Sequence, residues 1–191
     1  MLTAYVVLVG LVVLARLVEL SVARRHEAWA RARGAVESGR RHYPVMVALH
    51  TALLVGCLVE APFRPFLPVL AVPALALLVG AHALRWWCIR SLGVQWNTKV
   101  LVVPGAQLVE RGPYRWAQPD ARGWRRLLRH PNYVAVVAEG IALPLVHTAW
   151  VTALAFTLAN LVLLRVRVKV EESALSARQP QADPGVRVVA G

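Results

Sequence analysis

"LTAYVVLVGLVVLARLVELSV", residues 2–22, decides the fold. Only Arg16 and Glu19 interrupt it with charge. About 20 apolar residues are what a helix needs to cross a hydrocarbon core of about 30 Å. A helix also satisfies its own backbone there, where no water can. Arg16 and Glu19 lie three apart, so they should pair or snorkel. The block has no basic stretch before it and carries its charges after it, which predicts a retained helix and not a cleaved leader.

Four further apolar segments follow, at residues 43–59, 66–89, 133–147 and 148–166. The fourth is short and contains Pro144, so it should tilt little or stop short of the far face. Only "HTAW" separates it from the fifth, which makes the two an antiparallel hairpin. Of 191 residues, 58% are hydrophobic, and the mean hydropathy is +0.52. The predicted fold class is therefore all-α integral membrane, with about five transmembrane helices. Residues 1–84 should hold the N-terminal helices, 85–175 the long basic loop with the last two segments, and 176–191 a flexible tail rich in turn formers.

The net charge of +12 sits between the apolar blocks, where it sets topology. "ARRHEAWARARGAVESGRRHY" carries six arginines, "EAPFRPFLP" one and "LVHTAW" none. The alternation predicts an N-terminus outside and a C-terminus in the cytoplasm. No basic stripe interleaved with aromatics is present, so nucleic acid is not an expected partner. Among the 22 basic residues only Lys99 and Lys169 are lysines. With Ala, Val and Leu dominant, that usage points to a GC-rich bacterial genome and hence to the inner (cytoplasmic) membrane. Cys57 and Cys88 fall in apolar segments without metal or redox spacing, and read as small buried hydrophobes. His50, His82 and His147 have no mutual spacing suited to a metal, and none is expected.

Several short patterns could carry chemistry. "RHPNY", residues 129–133, reads two ways. It is an interfacial anchor with Pro131 in the first helical turn, or a helix start offering free N–H groups and side-chain donors to a polar ligand. In "RVRVKVEE", Arg167 and Glu171 share a helical face, but Arg before Glu is the weaker order. Glu171 and Glu172 also oppose the helix dipole and repel each other. An ordinary surface pair and a site offset by a bound cation both remain open. "RGPY", residues 111–114, is a turn signal, and "KVLVVPGAQLV" is strand-like. Trp86 and Trp87 suit an interfacial anchor. Glu139 is costly in lipid and should face the bundle interior, pairing with an arginine or shaping a substrate pocket.

Taken in order, "LVERGPY", "LRHPNYV", "ALPLVH" and "RVRVKVEE" resemble the isoprenylcysteine carboxyl methyltransferase family over about residues 85–175. "NTKVLVVPGAQLVERGPY" with "RHPNYVAVVAEGIALPLVH" looks nearest to a bacterial branch that O-methylates alkylpyrones and alkylresorcinols. These are the phenolic lipids made by type III polyketide synthases, and a functional link to such a synthase is implied. The resemblance implies a small helical bundle with a cytoplasmic S-adenosylmethionine pocket. It places Tyr114, His130, Pro131, Asn132 and Tyr133 against the cofactor, with Leu108 and Val109, and more loosely Ala106, Gln107 and Lys99. Glu171 is implied as a cofactor ligand, and the adjacent Glu172 is a second carboxylate that can bind the cofactor's polar donors. Arg167 is implied on the substrate side, and Arg167 and Glu171 carry the catalytic roles; Glu139, from its place in the fourth segment alone, is a further candidate for the substrate pocket. The chain departs from the pattern where "AQPDARGWRR" separates Tyr114 from His130; the insert is expected to loop out. Two other classes stay open: a nicotinamide-dependent membrane reductase of the steroid-reductase-like type, and a non-enzymatic scaffold.

Overall fold

A computed structural model describes residues 1–107, 109–116 and 130–176. It is mostly helical, with α1 at Leu2–Arg31, α2 at His42–Glu60, α3 at Pro68–Leu92, α4 at Pro131–Leu145 and α5 at Trp150–Ser176. Four of these are long and apolar enough to cross a membrane, and α4 is a shorter apolar helix. The 15 residues of α4 reach about 22 Å, short of the hydrocarbon thickness. Pro144 removes one backbone donor near its end.

The sequence-based bounds err mainly at two ends. Helix α1 runs to Arg31 instead of stopping near Val22, and α5 runs to Ser176 instead of Val166. Both extensions are polar, so apolar run length cannot register them. A second difference is a two-stranded antiparallel sheet. The strand-like stretch forms β2 (Val100–Val102), but its partner β1 (Val36–Ser38) lies in the arginine-rich loop.

Leucines and valines on the outer faces are exposed, among them Val7, Leu11, Leu14, Leu154, Leu158 and Val162. In a bilayer those faces meet lipid instead of water. Inside, Tyr5, Val9, Leu53, Cys57, Leu78, Leu143 and Phe156 form the main core. Gly140 lets α4 approach α5 closely, because a Cβ there would collide with the Phe156 ring. At the α4–α5 turn, Glu60 accepts from the backbone N–H groups of Val151 and Thr152, at 3.2 and 2.7 Å. It thereby serves the free N–H groups at the start of α5.

Candidate active site

The start of α4 and the end of α5 meet. Pro131 occupies the first turn of α4, where its missing N–H costs nothing. His130 stands before it as the N-cap residue in non-helical backbone, and its carbonyl accepts from the N–H groups of Tyr133 and Val134. The His130 ring stacks on Tyr133 with centroids 5.4 Å apart. The Tyr133 hydroxyl donates to Glu171 Oε2 at 2.5 Å. His130 Nδ1 stands 3.8 Å from Glu171 Oε2, and His130 Nε2 stands 3.6 Å from Glu172 Oε1. One imidazole, one phenol and two carboxylates thus converge from segments 38 to 42 positions apart in sequence.

Arg167 lies one turn before Glu171 and is 6% exposed. Its guanidinium does not make the ordinary surface pair along the helix. It donates to the Thr98 carbonyl at 2.9 Å and to Met46 Sδ, with Cζ 5.9 Å from the Tyr133 ring centroid. A turn-loop carbonyl and α2 therefore hold the arginine beside the tyrosine. Burial leaves three polar atoms here without hydrogen-bond partners among the described residues: His130 Nε2, Asn132 Oδ1 and Arg167 Nε. Such atoms are rare in buried positions, where each costs about 1–3 kcal/mol.

Tyr114 reaches the same neighbourhood from a different direction. It sits in a 3-10 turn, Gly112–Trp116, that folds onto the end of α3. Gly112 has φ +60, and a Cβ on it would strike the Ser91 side chain. Arg111 Nε donates to the Ser91 carbonyl at 2.9 Å, and Trp87 meets Trp116 edge-on at 5.9 Å. Trp87 is thus part of a clamp on the turn as well as a surface aromatic. Burial pushes the Tyr114 hydroxyl well above the ordinary phenol range, helped by the Cys88 thiol it bonds and by the Glu171 and Tyr133 side chains. It is a neutral donor throughout the physiological range.

Other sequence-predicted residues lie elsewhere. Lys99 Nζ donates to Glu27 Oε1 at 2.7 Å, which makes it a strut onto α1. With Arg167, Glu37 and Tyr43 it borders a cavity of about 10 Å³, room for about one water. Ala106 and Gln107 follow β2, and the Gln107 carbonyl accepts from Gln95 Nε2 at the turn after α3. Val109 is half-buried near them. Leu108, the insert at 117–126 and the tail beyond residue 176 lie outside the described residues.

Glu139 is committed to ion pairs. It takes Arg16 Nη2 at 2.9 Å and lies 3.2 Å from His82 Nδ1. Of its two sequence readings, arginine pairing is the arrangement present. Sequence reasoning missed Arg85, which joins this group through Glu19 at 2.8 Å. The signal was there in the three-residue spacing of His82 and Arg85, the two polar residues in an otherwise apolar run over residues 68–89. It also missed Asn160, a polar residue 1% exposed within α5 whose amide atoms have no hydrogen-bond partner among the described residues.

Comparison with known proteins supplies the context. Residues 74–177 match the isoprenylcysteine carboxyl methyltransferase (ICMT) family. That span covers α4 and α5 and most of α3. The chain is 36% identical over 174 residues to the uncharacterized protein YpbQ of Bacillus subtilis (strain 168), covering 88% of this chain and 94% of that one. It is 30% identical over 169 residues to an uncharacterized protein of Haemophilus influenzae, covering 87% and 92% respectively. No solved structure matches it. A helical membrane bundle and a family match that takes in the whole α4–α5 junction lead to one conclusion: the chain belongs to the isoprenylcysteine carboxyl methyltransferase family, a family of membrane methyltransferases.

Proposed function

We propose that the protein is an S-adenosylmethionine-dependent O-methyltransferase of the bacterial inner membrane, acting on a lipid-tailed hydroxyl or carboxylate. The observation that carries this reading is the meeting of His130, Tyr133, Glu171 and Glu172 at the junction of α4 and α5. The acceptor class we favour is an alkylpyrone or alkylresorcinol, on the resemblance of the motifs around Tyr114 and His130. A prenylcysteine-like carboxylate is the competing acceptor.

The residues fit the cofactor chemically. When bound, it supplies a sulfonium-activated methyl group and presents an ammonium and a carboxylate. Glu171 and Glu172 offer acceptors to the ammonium, and Tyr133 holds the first of them in place. His130 Nε2, Asn132 Oδ1 and the free N–H groups at the start of α4 offer further polar contacts. Tyr114, kept neutral, contributes a hydroxyl from the α3 side. Arg167 stands where it can bind the acceptor oxygen and favour its anionic form by charge pairing. An in-line displacement needs little more than this positioning. A hydroxypyrone or carboxylate is already acidic; for a resorcinol, His130 or Glu171 would take the proton.

In this reading the N-terminus lies outside and the site faces the cytoplasm, where the cofactor is made. The alternation of arginine-rich and arginine-poor loops supports that orientation. A type III polyketide synthase is the fitting source of the acceptor.

Incubating membranes that hold the protein with labelled S-adenosylmethionine and a panel of alkylpyrones, alkylresorcinols and prenylcysteines tests the reading. Label in a phenolic or pyrone product supports it, and label in a prenylcysteine ester alone would shift the acceptor class. Thermal protection by NADPH but not by S-adenosylhomocysteine would contradict it.

A further inference from the structure

Trp86 and Trp87 are neighbours near the end of α3 but differ in their surroundings. Trp86 packs against the buried group of Ala23, Ile89 and Trp96, whereas Trp87 is 44% exposed. Trp116, in the turn Gly112–Trp116, is also 44% exposed and meets Trp87 edge-on at 5.9 Å. The Arg115 guanidinium lies over the Trp116 ring, 4.3 Å from its centroid. Arg90 follows Trp87 by three positions, hence on the same helical face, and is exposed. Arg111 is exposed as well and donates to the Ser91 carbonyl at 2.9 Å. Two indoles and three guanidinium groups thus gather at one end of α3, with Glu110 the exposed acid next to them in the chain.

Helix geometry places this patch at a membrane boundary. At 1.5 Å per residue, Trp87 lies about 28 Å along α3 from Pro68, close to the hydrocarbon thickness of about 30 Å. Arg90 comes about 4.5 Å further on, at the level of the headgroups. A half-exposed indole suits that depth, with its ring body among acyl chains and its edge among polar groups. Neutral headgroups would satisfy the indoles alone. The exposed arginines favour negative charge, and a phosphate takes two parallel N–H bonds from one guanidinium. The last carbonyls of α3 oppose an anion, since a helix C-terminus carries partial negative charge. Arg111 offsets them by bonding the Ser91 carbonyl, and the Gly93 N–H covers that of Ile89.

The same turn carries Tyr114. It is pinned to α3 at Gly112, where a Cβ would come within 3.1 Å of Trp87 Nε1, and at Tyr114, whose hydroxyl bonds the Cys88 thiol. A ligand that engages Trp87 and Trp116 together therefore grips the turn against the helix. We infer that Trp87, Arg90, Arg115 and Trp116 dock the headgroup phosphate of an anionic membrane lipid, and that this contact steadies the turn bearing Tyr114. The inference does not depend on the reaction proposed above.

The test uses the full chain, labelled with 5-fluorotryptophan, in bilayer discs of phosphatidylcholine into which phosphatidylglycerol is titrated. Phenylalanine substitutions at Trp87, Trp116 and Trp150 assign three fluorine resonances. Trp150, which pairs with Arg64 at the other end of the bundle, is the control. The Trp87 and Trp116 resonances should shift saturably with phosphatidylglycerol while that of Trp150 holds. Each basic residue near an anionic surface strengthens binding by about fivefold. Arg90→Gln combined with Arg115→Gln should therefore raise the phosphatidylglycerol fraction at half-shift by about fivefold or more. Backbone amide exchange across residues 112–116 should slow by about threefold or more at saturation. No shift at the two indoles, an equal shift at Trp150, or an unchanged midpoint in the double variant would overturn the docking. So would the same shifts produced by glycerol 3-phosphate in solution, which carries the phosphate without the acyl chains. Shifts without slower exchange would overturn the hold on the turn. If the double variant loses the wild-type helical content by circular dichroism, the wild-type comparison with Trp150 decides alone.

Discussion

Glu171→Gln removes one of two carboxylates at the α4–α5 junction while keeping its size. Hydrogen bonds to a charged group contribute about 1.5–3 kcal/mol, so S-adenosylhomocysteine affinity should fall about 10- to 100-fold, measured by calorimetry. Arg167→Ala should behave differently, because the arginine is held by Thr98 and Met46 beside Tyr133 and not by Glu171. It should leave that affinity within about threefold and lower kcat/KM for the acceptor by about 100-fold. Equal loss of cofactor affinity in both variants would contradict the division of labour. Tyr133→Phe deletes the hydroxyl that steadies Glu171 and should weaken cofactor binding by about 5- to 20-fold, with the Tm of the unliganded protein little changed. A Gly112→Ala variant is expected to fail for a different reason. It forces a Cβ onto Ser91 in a left-handed conformation, so the turn bearing Tyr114 must shift.

At the scale of elements, α4 and α5 matter most, and their contact depends on Gly140. Gly140→Leu should lower stability by about 1–3 kcal/mol in a denaturant titration, since the Phe156 ring would have to move. Normal stability in that variant would mean the helices are less closely packed than described here. Run length and hydropathy made the five helices legible, and "HTAW" disclosed the hairpin. The polar ends of α1 and α5 were not legible, because their stability comes from contacts such as Lys99 to Glu27 and Tyr133 to Glu171. These join residues 72 and 38 positions apart. Strand β1 was hidden for a similar reason, as "VES" in an arginine-rich loop becomes a strand only when Val100–Val102 pairs with it. In the site, His130, Tyr133 and Glu171 could be named from motif order. That they would meet at one cofactor was implied by the resemblance; the direct Tyr133–Glu171 bond and the burial of Arg167 were not legible. Arg85 stayed unread because its partner Glu19 lies 66 positions away on another helix.

At the scale of the whole molecule, the bundle separates two tasks. Outward-facing Val and Leu meet lipid, and the joined ends of α4 and α5 bring together His130, Tyr133, Glu171 and Glu172. On the function proposed above, a lipid-tailed acceptor would stay in the membrane while its head meets a water-soluble methyl donor, which would give a physical reason for placing this chemistry in a bilayer. The deep cluster of Arg16, Glu19, Arg85 and Glu139 ties α1 to the helices that build the site. The proposed function requires that the joined ends of α4 and α5 hold S-adenosylmethionine. The most direct measurement is calorimetric titration of the purified full-length protein and its Glu171→Gln variant with S-adenosylhomocysteine. Saturable binding to the wild type is expected, with a Kd on the order of 1–100 μM, weakened about 10-fold or more in the variant. No binding to a folded wild type, or the same Kd for both proteins, would contradict it.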